Sequence, residues 1–141
     1  MKFKKGFTLV ELVVVLAISF IIILLVSSLS ILVSNYTKAN QITNDMFKEL
    51  KLFSNNVNSV VEEYEDASYT WTVNGENITF TSVENTFVLF FEDGALKLSS
   101  ETIQQCEFIT SVSFEMQNTI VKCIANYGDN QKYVVIINKR I

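Results

Sequence analysis

The sequence predicts an α+β fold, a long N-terminal helix packed on a C-terminal antiparallel β-sheet. Three observations carry this expectation. No charged residue occurs from Leu12 to Thr37. From Tyr36 to Tyr64 apolar residues recur at steps of three and four, the period of one helix face. Beyond Asp66, short runs of strand-forming residues are punctuated by Asn74-Gly75, Asp93-Gly94 and Gly128-Asp129-Asn130. Asn-Gly or Asp-Gly between alternating runs is a strong hairpin signal.

Composition limits the function classes. At 141 residues and 16.0 kDa the chain suits one compact domain. It is 49% hydrophobic and 18% charged, which excludes a disordered acidic tail despite a net charge of -4. With 0 Pro and 4 Gly, collagenous, Pro-rich and Gly/Ser-linker classes are excluded. His is absent and Cys numbers 2, so the usual zinc sets, Cys/His pairs and Ser-His-Asp triads cannot be built. No catalytic residue, metal ligand or cofactor is assigned, and the chain is not expected to be an enzyme.

The helix begins in its apolar half. Leu12 to Val33 is a run of 22 residues with Ser as its only polar type. About 20 apolar residues cross the hydrocarbon core of a bilayer. Lys2, Lys4 and Lys5 precede the run, and such positive clusters stay cytoplasmic. The expected topology is N-terminus in and C-terminal domain out. An ordinary signal peptide has a shorter apolar region followed by a small-residue cleavage site, and no such site follows here. A lipoprotein signal needs a Cys just after the run, and neither Cys is there. A plain anchor fits the length but not Glu11, because an unpaired carboxylate immersed in lipid costs roughly 2–3 kcal/mol or more.

Lys5-Gly6-Phe7-Thr8-Leu9-Val10-Glu11-Leu12 resembles the processing site of type IV pilins and the pseudopilins of related secretion and DNA-uptake machines. The resemblance covers about residues 1 to 35. It implies cleavage between Gly6 and Phe7 by a prepilin peptidase, methylation of Phe7, and an assembly role for Glu11. The amine created at Phe7 and the Glu11 carboxylate of a neighbouring subunit are each costly in an apolar layer, so pairing them favours adding a subunit in one register. Many members of this family carry a Pro or Gly within the membrane helix, and this helix has neither.

Ser27, Ser30 and Ser34 share one helix face, with Ser19 close to it. Small residues let helices approach closely in lipid, so these four are candidates for packing against neighbouring subunits. The alternative is that each serine bonds its own helix backbone.

The periodic second half comprises Tyr36, Ala39, Ile42, Met46, Leu50, Phe53, Val57, Val60 and Tyr64. No Gly or Pro interrupts Phe7 to Tyr64; one helix over that span would be about 87 Å long. Core packing is the better account of Met46, Phe47 and Phe53 than ligand binding. Asn55-Asn56 marks a candidate kink.

The strands are expected at 68–73, 77–82, 86–92, 95–99, 108–116, 120–127 and 133–138. Phe108, Thr110, Val112, Phe114 and Met116 alternate onto one face. Tyr69, Trp71 and Phe80 read either as an exposed aromatic platform or, more commonly for a small sheet, as core and cross-strand pairs. Outside the membrane a disulfide between Cys106 and Cys123 is permitted. A two-residue turn at Gln117-Asn118 would set Cys123 opposite Val112 and Cys106 opposite Asp129. Strands rise about 3.3 Å per residue and a disulfide needs Cα atoms within about 7 Å, so this register disfavours the bridge.

Glu62, Glu63, Glu65 and Asp66 cluster at the helix end, where a solvated charge run is expected rather than a Ca²⁺ loop. Removing Lys2, Lys4 and Lys5 from 11 basic residues leaves 8 against 15 acidic ones, a net charge of -7. Such a domain lacks the basic footprint of a nucleic-acid binder, so direct nucleic-acid binding is not favoured.

The resulting organisation is a cleaved basic leader over 1–6, a transmembrane and assembly helix over 7–35, its soluble half over 36–66, and an antiparallel β domain over 67–141. The resemblance implies a pilin-like subunit in the cytoplasmic membrane, then in a cell-surface pilus or pseudopilus, serving adhesion, protein secretion or DNA uptake in competence. The short compact domain without a Gly/Ser/Ala-rich variable region points to a minor pilin or pseudopilin. Its partners would be the prepilin peptidase, other pilin-like subunits, inner assembly platform proteins and the membrane. The alternative is an uncleaved single-pass membrane protein with an extracellular binding domain.

Overall fold

The computed structural model describes residues 8–66 and 68–138. Lys2, Lys4, Lys5, Gly6 and Phe7 lie outside the described residues, so the expectations of cleavage and methylation do too. The chain divides into two compact units, residues 1–44 and 45–141. One helix, α1 (Leu9–Glu63), runs through both. Eight strands follow: β1 (Thr70–Asn74), β2 (Asn77–Thr81), β3 (Thr86–Glu92), β4 (Ala95–Leu98), β5 (Glu101–Gln105), β6 (Ile109–Gln117), β7 (Ile120–Tyr127) and β8 (Gln131–Asn138). The fold is α+β, as the periodicities predict.

In the first unit α1 carries no core. Its large apolar residues are exposed, Leu16 at 61% and Phe20 at 64% among them. In the second unit the same helix buries Leu50, Phe53, Val57, Val60, Val61 and Tyr64 against the strands. The predicted stripe is therefore covered only from Met46, which is partly buried, onward; Tyr36, Ala39 and Ile42 are exposed. Phe47, expected in the core, is 57% exposed, because it lies outside the arc spanned by Leu50, Phe53 and Val57. The helix is unbroken at Asn55-Asn56, where Asn56 Nδ2 donates to Gln104 Oε1 at 2.9 Å.

The helix ends by tightening. Tyr64 N donates to the carbonyls of both Val60 and Val61, and Glu65 N to that of Glu62, the three-residue pattern that uses up terminal carbonyls. The Tyr64 carbonyl accepts the buried Trp71 indole N–H at 2.9 Å. The Tyr64 ring stacks on Phe80 at 5.0 Å and meets Tyr69 edge-on at 5.1 Å. Trp71 and Phe80 are buried, so they form core rather than an exposed platform.

The strands make two sheets where one was expected. The first is antiparallel in the order β1-β2-β3-β4-β5, the second in the order β6-β7-β8. The unforeseen strand is β5, in a polar stretch without alternation. Its turn is Ser99-Ser100, and Ser99 takes a positive φ of 54°, a conformation glycine usually supplies. Asp93-Gly94 is the expected two-residue turn, with both φ positive at 53° and 71°, as a type I′ hairpin requires. The first hairpin turns at Gly75-Glu76, one residue beyond the expected pair.

The β6–β7 turn is Asn118-Thr119, not Gln117-Asn118. Asn118 has φ 56°, and Asn tolerates that region better than most residues. The register moves accordingly, so Cys123 faces Phe114 instead of Val112. The expected alternation in β6 also breaks. An irregularity between Ile109 and Ser111 shifts the ladder, so Ile109 and Phe114 are both buried while Thr110 and Met116 are exposed. An extra residue in a ladder changes which side chains face inward.

Candidate functional site

The start of α1 is built by two side chains. Glu11 Oε2 accepts from Thr8 N at 2.9 Å and from Thr8 Oγ1 at 3.0 Å, while Glu11 N donates to Thr8 Oγ1 at 3.3 Å. Leu12 N donates to the Thr8 carbonyl. This is a capping box, in which a threonine and a glutamate three residues on satisfy orphan helix donors reciprocally. Its signature, Thr8-x-x-Glu11, is legible in the sequence, yet sequence reasoning assigned Glu11 only to a neighbouring subunit and passed over Thr8. The carboxylate also sits where the helix dipole favours negative charge.

Behind the cap the helix is apolar on every side. It is long and apolar enough to cross a membrane, and its most apolar stretch is wholly unburied. The serines make little demand on a partner. Ser19, Ser27 and Ser30 donate to the carbonyls of Val15, Ile23 and Val26 four residues back, at 2.8 to 2.9 Å. Ser28 does the same to Leu24. These hydroxyls therefore have an acceptor without any neighbouring helix, and what they offer is a small profile. Ser30 and Ser34 line an open groove with Val26, Leu29 and Val33.

The family model of the prokaryotic N-terminal methylation motif matches residues 1–27. The chain carries a prepilin-type methylation motif. The match takes in the basic leader, Gly6-Phe7, the Thr8/Glu11 cap and the first turns of the apolar helix. No curated protein and no solved structure matches the chain. The methylation motif points to a type IV pilin-like precursor, processed by a prepilin peptidase and assembled with other pilin-like subunits. Motif and apolar helix together fit a membrane-anchored pilin.

The remaining candidates lie in the second unit. Cys106 and Cys123 are free thiols. Burial pushes Cys123 up to about 12. Burial and the nearby Glu49 charge push Cys106 up to about 11. Both thiols are thus protonated and weakly nucleophilic near neutrality. Among the described residues, no group of three or more His, Cys, Asp or Glu side chains is placed to hold a metal ion.

Proposed function

We propose that this chain is a minor pilin or pseudopilin subunit that acts by assembly and not by catalysis. The observation that carries the reading is a methylation motif over 1–27 that takes in the cap and first turns of an apolar helix whose residues before Asp45 bury no core. The leader lysines hold the N-terminus in the cytoplasm, and the β domain faces outward. Cleavage between Gly6 and Phe7 frees an amine at Phe7, which is then methylated.

Glu11 has two successive roles in this reading. In the isolated chain its carboxylate is occupied by Thr8, which lowers the cost of holding a charge beside lipid. In the filament it pairs with the Phe7 amine of a neighbouring subunit, while the apolar helices pack on one another through the serine-lined face. The filament serves adhesion, secretion or DNA uptake, and the acidic domain is not its main DNA-contacting surface.

Intact mass after co-expression with a prepilin peptidase tests the reading. Loss of Met1–Gly6 with one added methyl group supports it, and a Gly6→Leu chain should stay whole. An uncut wild-type chain beside an active peptidase rejects it. In a chain that is cut, Glu11→Ala should insert into the membrane normally and be depleted from sheared filaments.

A further inference from the structure

We propose that residues 104–109, the strap joining the two sheets, open as a local unit, and that Glu49 on α1 is the latch that holds the strap closed. The strap runs from Gln104 in β5 to Ile109, the first residue of β6. Its amides between the two sheets cannot all use a ladder. Glu49 Oε2 accepts from Glu107 N at 2.8 Å, and Oε1 accepts from Phe108 N at 2.9 Å and Ile109 N at 3.1 Å. Three consecutive backbone N–H groups thus converge on one carboxylate, an anion-holding concavity of the kind successive amides form. Amides removed from water must find acceptors, and here one side chain supplies all three.

Two further bonds tie the strap to the helix. Gln104, 7% exposed, donates through Nε2 to the Glu49 carbonyl at 3.4 Å and accepts from Asn56 Nδ2 at 2.9 Å. The ladders are irregular on both sides of the strap, at Leu96/Lys97 in the β4–β5 pair and at Ile109/Ser111 in the β6–β7 pair. Regular pairing reaches this segment only at its ends, where Gln104 and Gln105 pair with Leu96 and Ala95, Cys106 N donates to the Gly94 carbonyl at 2.8 Å, and Ile109 pairs with Tyr127. Glu107 and Phe108 between them have no ladder partner. The sheets stay joined without it, since β6 packs on β1, β2 and β3 and Phe114 N donates to the Gly75 carbonyl at 2.8 Å. A segment whose middle amides rest on one side chain between two cooperative blocks is where sub-global opening is expected.

The chain carries its own reporters. Cys106 lies in the strap and is half-buried, while Cys123 is fully buried in the central strand of the second sheet. Thiol labelling followed by peptide mass mapping, on the full chain in detergent micelles, reads the two separately. In the wild type, Cys106 should label at a rate nearly insensitive to low urea, whereas Cys123 should follow global unfolding. Glu49→Ala should speed Cys106 labelling by about tenfold or more and leave Cys123 unchanged. Glu49→Gln removes the same charge from beside Cys106 but keeps one acceptor oxygen, so it should have the smaller effect. Hydrogen exchange should show residues 107–109 losing protection in Glu49→Ala while β7 keeps it. Equal acceleration of both cysteines, equal effects of Ala and Gln, or unchanged protection at 107–109 would each overturn the latch. So would wild-type Cys106 labelling that tracks global unfolding. None of these results bears on the assembly reading.

Discussion

The two ends of α1 treat the same residue types in opposite ways. Before Asn44 its Leu, Ile, Val and Phe side chains stand exposed all round the helix; after Asp45 the apolar residues that form a stripe are buried. Phe20 is 64% exposed and Phe53 fully buried, although each sits in an unbroken helix. The difference lies in the polar residues. Between Leu12 and Val33 only serines interrupt the apolar surface, so no face is left for water and the helix suits a bilayer. Beyond Asp45 charged and amide residues interrupt the outer face, although Phe47 and Leu52 stay exposed there, and the buried stripe is narrow enough for a sheet to cover. Within one helix, the width of the apolar arc selects the solvent.

Substitutions can break or sharpen this contrast. Phe53→Ala should destabilise the second unit by about 3–5 kcal/mol through a core cavity, whereas Phe20→Ala should leave it within about 0.5 kcal/mol of wild type. Thermal unfolding in micelles, followed by near-UV circular dichroism, compares them, and equal shifts would erase the distinction. Leu24→Lys should cost about 2.5–3.5 kcal/mol of membrane insertion without altering the unfolding of the second unit. Carbonate extraction of membranes reads the first effect, and an inserted mutant would sink the bilayer reading.

Cys123 tests burial from the alkaline side. Burial raises its folded thiol to about 12 from an ordinary value of 9.0. The folded state thus favours the protonated form. That contribution is whole below about pH 9 and is lost as pH rises through about 12. Cys123→Ala should therefore lose part of the alkaline fall in stability, seen in unfolding midpoints across that window. An unaltered slope would place the charge cost elsewhere.

The smallest effect belongs to the cap. Thr8→Ala removes both side-chain bonds to the Glu11 pair and should cost about 1 kcal/mol of helix stability. The loss should appear as faster hydrogen exchange confined to the first turn. Exchange spreading past Leu16 would mean that the cap supports more of the membrane half than the local bonds indicate.

Much of this architecture is local in origin. The apolar run, the three-and-four stripe from Met46 to Tyr64, the Asp93-Gly94 and Gly128-Asp129-Asn130 turns and the Thr8/Glu11 cap depend on residues within a few positions of one another. Short-range spacing therefore suffices to read them, and the cap was legible although overlooked. The candidate assembly residues belong to this class, because all of them lie on one helix.

Other features have no local signature. β5 exists because β4 offers a partner to a polar segment, and Ser99 accepts a positive φ to allow it. The shift at Ile109 puts Ile109 and Phe114 inside together, against the alternation of the sequence. Glu49 binds amides 58 to 60 residues away. By itself the sequence determined the α+β class, the membrane-suited helix and the methylation motif, since periodicity and motif spacing are properties of neighbours in the chain. Only the tertiary structure decided the split into two sheets, the strand register and the Glu49 latch. Each of those depends on which distant backbone groups are left needing a partner once the core has closed.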